Sequence, residues 1–108
     1  MSEGGTSGWV TVAKVGEIPE GGRKIVRLGD QAIGLFHIAG RYCAIEDVCT
    51  HDGGPVAEGV VEGHVIECPR HGAKFDLCSG AALTLPAVVP VPTFEVRIEG
   101  DDIQVEWS

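Results

Sequence analysis

Apolar residues fall in short runs separated by turn residues along this chain, and no 3.6-residue period persists over ten or more residues. Trp9 to Val12, reading Trp-Val-Thr-Val, predicts a first strand, and Ile18-Pro19-Glu20-Gly21-Gly22 predicts a turn. Lys24 to Leu28 and Ala32 to Ile38 are rich in Ile, Val, Leu and Phe, with Gly29-Asp30 between them. Ala39-Gly40 then leads into Arg41 to Glu46, so these three segments are expected to form an antiparallel meander. Val60-Val61 and His64 to Glu67 predict a short hairpin closed at Glu62-Gly63, and Phe94 to Ile98 with Ile103 to Trp107 a closing hairpin around Gly100-Asp101. Two stretches have little periodicity: residues 47–59, with Cys49, His51, Gly53, Gly54 and Gly59, and Cys68 to Gly80, with Cys68, His71, Cys78, Gly72 and Gly80. Residues 81–92 contain Pro86, Pro90 and Pro92, which predict a stiff, extended connection poor in ladder hydrogen bonds. The expected architecture is all-β, with two irregular loops set into the middle third and a loose polar tail over residues 1–8.

Composition narrows the function more than the fold. With 108 residues the chain fits one domain, small enough that a bound metal would add noticeably to its stability. Eight basic against sixteen acidic side chains leave a formal charge of −8, which disfavours nucleic acid and anionic membrane surfaces. The same charge is compatible with a basic protein partner, but from charge alone plain solubility is the favoured reading. The segment Met1 to Gly8 has no basic region followed by an apolar run, and no apolar stretch approaches membrane-spanning length, so a cytoplasmic location is expected. Structural disulfides are rare there, and the four cysteines read as metal ligands, catalytic groups or core residues.

Cys49-Thr50-His51 is a C-x-H motif and Cys68-Pro69-Arg70-His71 a C-x-x-H motif, with sixteen residues between His51 and Cys68. Folding the intervening hairpin back brings two thiolates and two imidazoles face to face. Zinc accepts such a set tetrahedrally, and a mixed [2Fe–2S] cluster takes two Cys on one iron and two His on the other. Zinc fingers of the two-Cys, two-His kind pair like with like in each knuckle. Here each loop pairs one Cys with one His, which suits a two-iron rhomb. Gly53, Gly54 and Gly72 beside the ligands are expected to let backbone N–H groups approach the sulfurs.

The run Cys49-Thr50-His51-Asp52-Gly53-Gly54-Pro55, with Cys68-Pro69-Arg70-His71-Gly72-Ala73-Lys74-Phe75-Asp76, resembles the Rieske domain in its bacterial ferredoxin branch. Arg41 to Ile45 resembles the strand entering the first cluster loop, and Ser79-Gly80 with Pro86 to Val91 the proline-rich cover of the cluster. The resemblance implies an antiparallel β sandwich or barrel over residues 9–108, carrying a small cluster-binding subdomain at about 46–86. It also implies one [2Fe–2S] cluster on Cys49, His51, Cys68 and His71. In such a cluster two ferric irons, two sulfides, two thiolates and two neutral imidazoles sum to zero, and the histidine-bound iron takes the electron. His51 and His71 would then lie near the surface, as the exit toward a partner. High-potential relatives carry a disulfide between the loops, at positions that are Gly54 and Arg70 here, and hydroxyl donors where this chain has Ala73 and Phe75. Fewer donors predict a potential near the low end of the Rieske range, on the order of −150 mV.

The function so implied is that of a one-electron carrier rather than an enzyme. It would be a monomer linking a flavin-dependent reductase to a terminal aromatic-ring-hydroxylating oxygenase. A small redox subunit of another enzyme, such as nitrite reductase, and a structural zinc-binding domain are the alternatives. Cys43 and Cys78 are read as small buried hydrophobes, a disulfide between them being disfavoured by compartment. His37 and His64 are read as ordinary strand residues, Arg70 as a docking contact or a solvated side chain, and Asp47, Asp52 and Glu67 as contacts for a basic reductase or a solvated acidic rim.

Overall fold

A computed structural model of the chain describes residues 8–49, 54–69, 72–85 and 89–107. These residues build ten strands: β1 (Trp9–Lys14), β2 (Arg23–Leu28), β3 (Gln31–Ile38), β4 (Arg41–Glu46), β5 (Val60–Glu62), β6 (Val65–Glu67), β7 (Lys74–Asp76), β8 (Thr93–Phe94), β9 (Val96–Glu99) and β10 (Asp102–Glu106). They form three antiparallel sheets, ordered β9-β10-β1, β2-β3-β4-β8 and β5-β6-β7. Among the described residues there is no helix long and apolar enough to cross a membrane.

The expected meander is present as β2-β3-β4, in continuous register from Arg23↔Phe36 to Leu28↔Gln31 and from Ile33↔Glu46 to Ile38↔Arg41. Ala39 takes a left-handed backbone (φ 52°) at the β3–β4 turn. The Glu20 carboxylate accepts the N–H groups of both Ala39 and Gly40, at 2.5 and 3.0 Å, and so holds that turn from outside. The first strand does not join the meander. It pairs with β10, from Asp102↔Lys14 to Glu106↔Trp9, and Trp107 N–H continues the contact to the carbonyl of Gly8 at 2.7 Å. Gly8, at the end of the expected tail, is thus in backbone contact with the segment after β10.

Two further expectations are corrected. Phe94 is not part of the closing hairpin: Thr93 and Phe94 pair with Ile45 and Ala44 of β4, and the hairpin proper starts at Val96. The stretch Cys68 to Gly80, expected to be irregular, contains β7, which pairs with β6 from Val65↔Asp76 to Glu67↔Lys74.

The middle sheet explains the unbroken run Ile33-Gly34-Leu35-Phe36, all four buried. Alternate side chains leave opposite faces of a strand. Ile33, Leu35 and Ala44 enter a base core with Val12, Ile18, Ile103 and Val105. Phe36, Ile38 and Ile45 enter a second core with Val56, Ile66, Phe75, Leu77 and Val91. A sheet covered on both faces loses the simple in–out alternation.

Candidate metal centre

Each ligand loop starts where a strand ends. β4 ends at Glu46, and Val48 N–H turns back onto the Glu46 carbonyl at 2.8 Å before Cys49. β6 ends at Glu67, and Cys68 follows directly. Both loops then close in the same way. Cys49 N–H donates to the carbonyl of Gly54 at 2.6 Å, and Cys68 N–H to that of Ala73 at 2.7 Å. In each case the cysteine binds the residue five positions on, so the histidine position of each motif falls inside the closed span. Gly72 has φ 77°, a left-handed value that favours glycine, and its N–H goes to the Cys68 carbonyl at 3.1 Å.

Both cysteines are inaccessible to solvent, Cys49 at 0% and Cys68 at 1%, and they sit in one core with Val56, Ala57, Ile66, Ala73 and Phe75. His51, His71, Asp52, Gly53 and Arg70 lie outside the described residues, as does Pro86. The structure thus brings together the sulfur half of the expected donor set. Two soft thiols in a dry setting suit an iron–sulfur group or zinc better than a hard cation.

The first loop is anchored by side chains that the sequence reading missed or placed elsewhere. Asp47, expected on an acidic rim, turns inward: its Oδ1 accepts the N–H groups of Val56 at 2.8 Å and Ala57 at 2.7 Å. Arg23, on β2, donates from Nη1 to the carbonyls of Ala57 and Gly59, both at 2.7 Å, with its guanidinium 5.5 Å above the Phe36 ring. At Gly59 a Cβ would lie 1.8 Å from the Glu67 carbonyl oxygen, so only glycine lets the end of the first loop approach the strand that leads into Cys68. A weak signal for Asp47 existed: a carboxylate just ahead of a loop of small residues has backbone donors within reach.

The second loop is followed by a turn organised by Asp76. Its Oδ1 accepts the N–H groups of Cys78 and Ser79 at 2.9 and 2.8 Å, and its Oδ2 accepts from His64 Nδ1 at 2.7 Å. Burial pushes the Asp76 carboxyl up, but these hydrogen bonds from Ser79, Cys78 and His64 outweigh it and hold the group below its ordinary value. His64 thus lies in the β5–β6 turn, bound to Asp76. His37 stays a structural strand residue: it donates from Nδ1 to the Ile18 carbonyl at 2.8 Å and stacks on Tyr42 at 4.3 Å.

The reading of Cys43 and Cys78 as separate buried hydrophobes is overturned, because the two are joined as a disulfide with Cα atoms 5.0 Å apart. Compartment statistics gave no access to that pairing. It follows from β4 and the Asp76 turn being packed together. The described part of the proline-rich segment also touches the core: Val91 is buried there, and its N–H binds the Gly80 carbonyl at 2.8 Å. A cleft of about 400 Å³ opens beside the second loop, lined by Glu58, Val60, Glu67, Cys68 and Pro69 among others.

Comparison with known proteins agrees with this geometry. Residues 8–95 match the family model for the Rieske [2Fe-2S] domain. The ferredoxin component of a naphthalene 1,2-dioxygenase system from Pseudomonas aeruginosa is 34% identical over 103 residues, which is 95% of this chain and 99% of the relative. The ferredoxin component of naphthalene 1,2-dioxygenase/salicylate 5-hydroxylase systems from Ralstonia sp is 36% identical, with the same coverage. Among solved structures, a chain of the complex of reduced oxygenase and oxidized ferredoxin in carbazole 1,9a-dioxygenase superposes with a TM-score of 0.85 at 32% identity. That match covers 91% of this chain and 92% of the other. With two closed cysteine loops meeting in one dry core, and with this match along most of its length, the chain belongs to the Rieske [2Fe-2S] domain family.

Proposed function

We propose that this protein is a one-electron carrier, a ferredoxin that takes electrons from a flavin-dependent reductase and delivers them to a terminal aromatic-ring-hydroxylating oxygenase. The observation that carries the reading is the pair of matched loops, each opened by a fully buried cysteine and closed onto the residue five positions later. One [2Fe–2S] cluster is assigned to Cys49, His51, Cys68 and His71, within a single domain spanning residues 9–108. When bound, such a cluster supplies one reversible electron at nearly fixed geometry. The protein's part is to hold it and keep it dry. Cys49 and Cys68 offer thiolates from a core packed with Ile66, Phe75 and Leu77, and Asp47 and Arg23 fix the path of the first loop.

The curated relatives, named as ferredoxin components of dioxygenase systems, support a carrier rather than a catalytic subunit. The carbazole dioxygenase complex supports an oxygenase as the electron acceptor. The cleft beside Cys68, where Glu58 and Glu67 flank Val60, suits a partner that presents basic groups around an apolar contact. Ala73 and Phe75, both fully buried and without hydroxyls, support a low potential on the order of −150 mV. A cytoplasmic, monomeric protein fits this role.

The deciding test is low-temperature EPR of the dithionite-reduced protein, with iron and zinc quantified on the same sample. Two irons per chain and a rhombic S = ½ signal, with average g below that of plant-type ferredoxins, are expected. An EPR-silent sample holding stoichiometric zinc after anaerobic preparation would replace the carrier by a structural zinc domain.

A further inference from the structure

The Cys43–Cys78 disulfide spans 35 positions of sequence, and the segment it encloses holds all four assigned ligands, Cys49, His51, Cys68 and His71. It also joins two parts of the fold that no ladder connects among the described residues. Cys43 lies on β4 of the middle sheet, while Cys78 lies in the turn after β7 of the cluster-side sheet. Cys43 is buried at 7% exposure, but Cys78 is partly exposed, on a turn held by Asp76. Cys78 is thus the more accessible residue of the pair.

We propose that Cys43–Cys78 is a thiol-exchange site, opened by a dithiol reductant, whose opening loosens the seat of the cluster and speeds its loss. The inference rests on the reading of the two loops as that seat. In the exchange, a reductant thiolate attacks Sγ of Cys78, forming a mixed disulfide and releasing the Cys43 thiolate, which takes up a proton. The reductant's second thiol then displaces Cys78, which is protonated in turn. Two electrons and two protons pass to the protein pair, and the dithiol leaves as its own disulfide. The fold survives the step, because the core around Phe36, Phe75 and Leu77 and the Arg23 and Asp47 anchors are untouched by it. What is lost is the covalent limit on how far β7 and its loop can open away from β4. The location differs from the between-loop position at which this chain has Gly54 and Arg70, so the tie acts from beside the ligands rather than between them.

The test uses the holoprotein, isolated anaerobically without added thiols. Alkylation under denaturing conditions, followed by digestion and mass spectrometry, should yield a linked Cys43–Cys78 peptide pair, with Cys49 and Cys68 alkylated. Dithiothreitol should then speed iron transfer to a chelator at least about tenfold, lower the melting temperature, and do both reversibly on reoxidation. A C43S/C78S variant should release iron at the fast rate and not respond to dithiothreitol, which excludes chelation by the reagent itself. If that variant does not accumulate, wild-type protein reduced and then blocked at Cys78 with N-ethylmaleimide gives the same comparison. Separate thiols at 43 and 78 in the isolated protein, or equal iron-release rates before and after reduction, would overturn the proposal. A preparation without iron would remove the reading beneath it, and the metal content would reveal that before any thiol chemistry.

Discussion

The two ends of this molecule are held together by different means. The base is a product of ladders: β1 pairs with β10, β10 with β9, and β2, β3 and β4 run in unbroken register, around a core of Val12, Ile33, Leu35, Ile103 and Val105. The cluster side has strands of only three residues, β5, β6 and β7, and depends on side chains that reach in from elsewhere: Arg23 from β2, Asp47 from the end of β4, and the Cys43–Cys78 link. Regular backbone pairing satisfies its own N–H and C=O groups, whereas irregular loops need specific partners for theirs. A site that must present ligands from loops therefore needs an outer frame of anchors, and each anchor is a point at which it can be broken without unfolding the base.

The largest effect should come from Gly59→Ala. The added methyl collides with the Glu67 carbonyl, so the first loop cannot lie against the strand leading to Cys68. We expect protein that keeps a β circular-dichroism spectrum but binds almost no iron, and normal iron content would show that the two loops adjust independently. Leu35→Ala should do the reverse. It empties a fully buried position of the base core, at a cost of about 3 kcal/mol and a melting temperature lower on the order of 15 °C, with the visible spectrum unchanged below the transition. A change in that spectrum would mean that the two cores are less separate than their packing implies.

Asp47→Ala leaves the buried N–H groups of Val56 and Ala57 without their acceptor. A penalty of about 2 kcal/mol is expected, together with faster iron loss, because the strain falls on the loop that carries Cys49. Asp47→Asn, which keeps one acceptor oxygen, should recover much of it. The smallest effect concerns pH. The Asp76 carboxyl is held below its usual value of 3.8, so its contribution is fully present above that value and is lost as pH falls through the lower folded value. Below about pH 4 the Cys78 turn should loosen, seen as faster amide exchange at Ser79 and Gly80. Asp76→Ala should remove this pH response and show fast exchange at neutral pH.

The base was largely legible in the chain because short apolar runs and the tight turns between them are local signals. Arg41 to Glu46 is both the expected and the observed strand, and Gly29-Asp30 is the turn between β2 and β3. The C-x-H and C-x-x-H spacing likewise exposed the candidate site. What stayed hidden was non-local. β7 is three residues, Lys-Phe-Asp, too short for an alternation to register. Phe94 fits the closing hairpin by pattern but pairs with Ala44, and pattern does not name a strand's neighbour. Asp47 and Arg23 look like surface charges because their partners are backbone groups, which leave at most a weak sequence signature. The Cys43–Cys78 pairing depends on two elements 35 positions apart coming together, and cysteine counting cannot specify that.

The pairing of the first strand with the last has a consequence in time. Every member of the core around Cys49 and Cys68 has been synthesised once the chain reaches Val91, but the base core waits for Ile103 and Val105. Contacts this far apart in sequence make folding slow, and on the ribosome the N-terminal strand must wait unpaired while nearly everything else emerges. In order of synthesis, the core around the two cysteine loops is thus complete in sequence before the base core, whose last members close the scaffold beneath it.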